Sequence, residues 1–116
     1  MSVTLRASEA LRLWQQVCLS EVRADAFDLS FRQAAILLTV YLDPPPHTVR
    51  GLAAHLGVSK PVVTRALDRL SAMKLLGRHR DDADRRSVLV RRTVEGALYV
   101  ERLGDVIMAR ARELPI

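Results

Sequence analysis

Cysteine is almost absent from this sequence. The single thiol, Cys18, has no partner for an intrachain disulfide, so packing alone must hold the fold, as suits a reducing compartment. Aromatic residues make up only 4% of the chain. With no polar constellation beside them, Trp14 and Tyr99 read as packing residues and not as the lining of an effector pocket, and the sequence names no small-molecule effector. Long apolar runs are missing too. The longest, Ala34 to Leu42, is interrupted by Thr39 and falls well short of the ~20 residues a membrane span needs. Glu9, Arg12 and Gln15 break any signal-peptide core, so the expected location is the cytoplasm, on the nucleoid, with no membrane partner. The chain also lacks a Gly-rich phosphate loop, a nucleophile spaced to a base and a carboxylate pair on an apolar run, which excludes the common enzyme classes. His47, His55 and His79 have no zinc-site spacing, so neither metal nor cofactor is expected.

What is present is enough for one domain. The 116 residues are 49% hydrophobic and 27% charged, which supports a packed core and argues against disorder. The formal net charge is +5, which suits a polyanionic partner without proving one.

The apolar periodicity predicts a mainly α fold. Over residues 5–23, Leu11, Trp14, Cys18 and Val22 recur at three and four, a stripe that predicts a first helix with Cys18 packed inside. Ser30 caps a near-continuously apolar helix, Phe31–Leu42, stopped at Asp43 by Pro44, Pro45 and Pro46, a stiff connector. Thr48 caps a short helix running to His55, Gly57 supplies a turn, and Ser59 caps another helix reaching about Met73, with Pro61 in its first turn. Then the period changes. Leu76–Arg80 and Ser87–Arg92 are strand-like on either side of Asp81–Arg86, which predicts a hairpin with a long loop. Thr93 caps a last helix carrying Leu98, Leu103, Val106, Ile107 and Leu114.

Residues 48–70 have the spacing of a helix-turn-helix. Leu52, Leu56 and Val58 are placed to bury between the helices, Ala53 is small where the backbones approach, and Val63 and Leu67 pin the second helix. The opposite face of that second helix carries Lys60, Thr64, Arg65 and Arg69, with Pro61 beside them, and these are donors suited to base edges and phosphates in a major groove. A winged helix used for protein binding is the alternative; it calls for a hydrophobic or acidic recognition face, against which these cations argue.

The run Asp84-Arg85-Arg86-Ser87-Val88-Leu89-Val90-Arg91-Arg92-Thr93-Val94-Glu95-Gly96 resembles the wing signature of the MarR family of bacterial transcriptional regulators, and Leu70–Arg78 resembles that family's path from recognition helix to wing. The likeness covers roughly Leu29 to Leu103. It implies a winged helix-turn-helix lobe over 30–92, flanked by dimerisation helices at 5–25 and 96–114 of one MarR-like domain, 1–116. It also implies a homodimeric repressor of double-stranded DNA on a pseudo-palindromic operator, with Arg86 as the wing contact, Arg85 its neighbour and Asp84 the orienting carboxylate. Two positions depart from the pattern. Arg92 stands where Leu is usual, so either the strand's end is more exposed or the stem packs with its head in water, and Lys74 stands where a helix-closing Gly is usual. The sequence also stops one helix earlier than typical members, so a dimer is expected either to rely on residues 5–25 and 96–114 alone or to use an interface of different topology.

Charge is unevenly placed along the chain. Residues 47–92 hold 11 Lys and Arg against four acids, a net of +7, while the remainder nets −2. The basic surface is therefore expected to be the reading head.

Overall fold

The computed structural model describes residues 4–114. Eight elements follow one another along the chain: helices α1 (Ala7–Arg23) and α2 (Phe31–Leu42), strand β1 (His47–Thr48), helices α3 (Val49–Leu56) and α4 (Lys60–Ala72), strands β2 (Leu76–Arg80) and β3 (Val88–Arg92), and helix α5 (Val94–Arg112). The architecture is the mainly helical winged helix-turn-helix that the periodicity predicts.

The helix ends are set locally. At α2 a capping box closes reciprocally: Ser30 Oγ accepts from the Gln33 amide at 3.1 Å and Gln33 Oε1 accepts from the Ser30 amide at 3.0 Å. Thr48 Oγ1 accepts from the Gly51 amide at 2.9 Å and so starts α3, which Gly57 ends at φ 71°. Ser59 occupies the N-cap position of α4, but its hydroxyl makes no capping bond; Pro61, with its preset φ, supports that first turn.

The end of α4 explains Lys74. This residue takes φ 62°, its amide donates to Ser71 O at 2.9 Å, and the Leu75 amide donates to Leu70 O at 3.0 Å. Those two bonds are the Schellman closure that glycine usually serves, completed here by packing of the buried Leu70 and Leu75.

Three antiparallel strands form one sheet in the order β1-β3-β2. The β2–β3 hairpin matches the sequence expectation, whereas β1 does not. Two residues are too few to show alternation, and the Pro44–Pro46 segment, with a cis peptide between Pro45 and Pro46, leads into a strand that pairs His47 with Val90 and Thr48 with Leu89.

Arg92 and the end of β3 are exposed, one of the two outcomes expected, but the side chain does more than that. Its head does not simply reach water: Nε donates to Val40 O at 2.8 Å and Nη2 to Asp43 O at 3.2 Å, with the guanidinium 5.7 Å from the Tyr41 ring centroid. A cation thus satisfies carbonyls at the C-terminal end of α2, where the helix dipole favours positive charge. It serves as a clamp where a leucine could only pack.

The chain divides into two compact units, Leu29–Val100 and a second made of the chain ends up to Asp28 and from Glu101. The first has a dry core of Ile36, Leu37 and Val40 from α2, Leu52 from α3, and Val63, Leu67 and Leu70 from α4, closed by Leu75, Leu76 and Val90.

The second unit corrects a prediction. The stripe on α1 is outside: Leu11 is 69% exposed, Trp14 53% and Val22 77%, and Cys18 is exposed as well. Covered instead is the face of Leu13, Gln16, Val17, Ser20 and Glu21, where Glu21 Oε2 meets Arg102 Nη2 at 2.8 Å and Ser20 Oγ accepts from Arg110 Nε at 3.0 Å. Spacing reveals a stripe but not which face the chain itself covers. Along α5, Leu103 and Val106 are half-buried, while Leu98 and Ile107 are exposed; Leu114, expected on this helix, lies just beyond its end and is half-buried. Among the described residues no helix is long and apolar enough to cross a membrane.

Candidate nucleic-acid interface

Two sides of α4 separate by chemistry. Val63, Ala66, Leu67 and Leu70 recur at three and four and are buried, which fixes the helix on the lobe. The other side carries Lys60, Pro61, Thr64, Arg65 and Arg69, all exposed. From Lys60 to Arg69 these donors run ~13 Å along the axis at ~1.5 Å per residue, the reach of about four base pairs. None of the four donors has a hydrogen bond or ion pair among the described residues. The lone acid of α4, Asp68, is engaged: Arg78 Nη1 from β2 lies 2.7 Å from its Oδ1, which offsets the negative charge on the outward face.

The wing tip is organised by aspartates. Asp84 Oδ1 accepts from the Arg86 amide at 3.1 Å and lies 3.8 Å from Arg86 Nε. Asp81 Oδ1 accepts from the Ala83 amide at 2.9 Å, and the Asp81 and Ser87 backbones bond across the loop at 3.0 Å. Short side chains that accept from amides two residues ahead hold such turns without a core. Arg80 donates to the Arg85 carbonyl, and the Arg86 side chain is 96% exposed. The loop's backbone is tied down while its guanidinium groups are presented outward.

The residues singled out from the sequence fall into two groups. Lys60, Thr64, Asp84 and Arg86 come together on one groove of about 470 Å³, which also takes in Thr48, Arg50, Ser87 and Val88. Pro61, Arg65, Arg69 and Arg85 do not line it. Arg50 is the residue sequence reasoning passed over. It contributed to the basic tally, and its place in the first turn of α3, two residues after the Thr48 cap, was the available signal. Among the described residues no three His, Cys, Asp or Glu side chains are placed to hold a metal ion.

The family model for MarR matches residues 27–87, more than half of the sequence. The chain belongs to the MarR family. Solved structures of similar fold accompany that match. The S. aureus MepR–DNA complex superposes with a TM-score of 0.73 at 22% identity, covering 86% of this chain and 79% of that one. The transcriptional repressor CouR, bound to a 23-mer DNA duplex, gives 0.71 at 24% identity, covering 90% and 70%. Reduced AbfR bound to DNA gives 0.66 at 26% identity, covering 87% and 82%. No curated protein matches the sequence. As a MarR protein it is a DNA-binding transcriptional regulator and not an enzyme.

Proposed function

We propose that this MarR protein is a homodimeric, sequence-specific repressor that places two copies of α4 in successive major grooves of a pseudo-palindromic operator, about one helical turn (~34 Å) apart. The observation that carries the reading is the outward side of α4: four donors without partners on a helix pinned from behind by four buried side chains. Lys60, Thr64, Arg65 and Arg69, beside Pro61, read or clamp the major groove, and Arg85 and Arg86 make the wing contact with Asp84 holding Arg86. MepR, CouR and AbfR, similar in fold, have each been seen with DNA, and CouR is a repressor, which supports the assignment.

Support for the dimer comes from α1. A helix that buries Val17 yet leaves Leu11, Trp14 and Val22 exposed presents a second apolar face that nothing in this unit covers. Ile107 and Met108 of α5 add exposed apolar surface in the same unit. A second copy covering these residues satisfies them, and its twofold symmetry produces the half-site repeat. The single MarR-like domain then consists of a reading lobe, 30–92, and pairing helices at 5–25 and 96–114.

The test is a fluorescence titration of duplexes selected from a random pool. The slope of log K against log salt is expected to fall by about 0.9 per neutralised phosphate, and the selected sequences to be palindromic. A flat salt response, or no binding at low salt, overturns the reading.

A further inference from the structure

The groove beside the wing has a composition that base reading does not explain. Three cations line it from three separate elements: Arg50 from α3, Lys60 from the first turn of α4, and Arg86 from the wing. Its one carboxylate, Asp84, is occupied by the amide and guanidinium of Arg86. Thr48, Thr64 and Ser87 add hydroxyl groups. The N-terminal end of α3 opens onto the same space, and Thr48 Oγ1 serves only the Gly51 amide of that first turn. The Arg50 amide has no helix carbonyl to bond, so the helix end adds partial positive charge to that of the side chains. At about 470 Å³, open, and lined by three cations and three hydroxyl groups beside Val49 and Val88, with its one carboxylate engaged by Arg86, the groove suits a tetrahedral monoanion and not the flat edge of a base pair.

Position decides where such an anion comes from. The groove lies between the start of α4 and the wing, the two parts of the lobe read above as touching bases and backbone. A strand whose bases lie over Thr64 and Arg65 and which continues to Arg86 must carry its sugar-phosphate chain across this groove.

We propose that the groove seats one backbone phosphate of the bound duplex in each half-site, with Arg50 as the anchoring cation, so that α3 sets the register in which α4 meets the bases. This rests on the DNA-binding reading above, and Arg50 is a positioning residue that carries no sequence information itself.

Arg50→Gln and Arg50→Lys in the full chain test it, with the selected duplex and a salt titration. Arg50→Gln is expected to lower affinity about tenfold and reduce the salt slope by about 0.9, with the ranking of sequences unchanged and Arg50→Lys retaining most of the slope. An unaltered slope and affinity, or an altered sequence ranking, overturns the proposal. A second measurement needs no variant to fold: methylphosphonate replacement of each phosphate in turn against the wild-type protein. One position per half-site is expected to weaken wild-type binding strongly and to cost Arg50→Gln nothing further. If no replacement weakens wild-type binding, or if its effect is the same in both proteins, the groove holds no phosphate. Failure of the wild-type protein to bind any duplex instead removes the functional reading and this inference together.

Discussion

The hydroxyl of Tyr41 occupies the space that a side chain on Gly96 would need: a Cβ built there lies 2.1 Å from the tyrosine oxygen and 2.1 Å from the Leu75 carbonyl. Tyr41 accepts from the Thr93 amide at 2.9 Å and shares its own proton between the Leu75 and Thr93 carbonyls at 3.1 and 3.0 Å. One side chain thus joins α2, the start of β2 and the start of α5. Gly96→Ala is expected to destabilise by about 1–3 kcal/mol, because the obstructing carbonyl is backbone and cannot swing aside. Tyr41→Phe, which leaves the Thr93 amide without its acceptor, is expected to cost about 1–2 kcal/mol. Urea denaturation of both variants checks the pair, and a Gly96→Ala curve matching wild type contradicts the packing described.

Lys74 gives a prediction of opposite sign. Its φ of 62° is strained for a side chain with a Cβ, and the Schellman bonds around it are already made. Lys74→Gly is expected to stabilise by about 0.5–1 kcal/mol, less than the full strain because glycine loses more entropy on folding. A lower melting temperature for this variant would contradict that account.

Arg65 and Arg86 are expected to fail in different ways. Arg65 stands on the outward side of α4 and Arg86 on the wing, with a side chain 96% exposed. Arg65→Ala is expected to relax sequence preference, costing about 1–3 kcal/mol on the best site and little on others, whereas Arg86→Ala weakens all duplexes alike. Competition titrations against a scrambled duplex separate the two.

Charge placed on the outward face of α1 tests the dimer. Trp14→Glu or Val22→Asp puts a carboxylate where apolar surface is now open to solvent, so neither harms a folded monomer directly. Light scattering is expected to report half the wild-type mass, and DNA affinity to fall because two half-sites are no longer linked. An unchanged mass moves the interface elsewhere.

How much was legible in the sequence depended on the range of the forces involved. The capping Ser30 and Thr48, the turn at Gly57 and two of the four buried positions of α4, Val63 and Leu67, all act within one or two turns, and local pattern exposes them. β1 was missed because its two residues gain strand character only through β3, some 40 positions away. The clamp made by Arg92 was hidden for a like reason: its partners, Val40 and Asp43, are about 50 residues distant in sequence. Cys18 was placed inside because a helical repeat says that a face is apolar, not whether the same molecule covers it. At the candidate interface, residue types located Lys60, Thr64, Asp84 and Arg86, but only the folded chain brings Arg50 beside them.

The two ends of the β2–β3 hairpin are held by different means. Near Arg92 the ribbon is hydrogen-bonded to α2, paired on both sides and closed by Tyr41; at Asp81–Ser87 its contacts are almost wholly with itself. The base of the ribbon is thus fixed by the lobe and its tip by its own turn bonds, so on the DNA-binding reading a substitution at Arg85 or Arg86 changes the proposed wing contact and leaves the placement of α4 as it is.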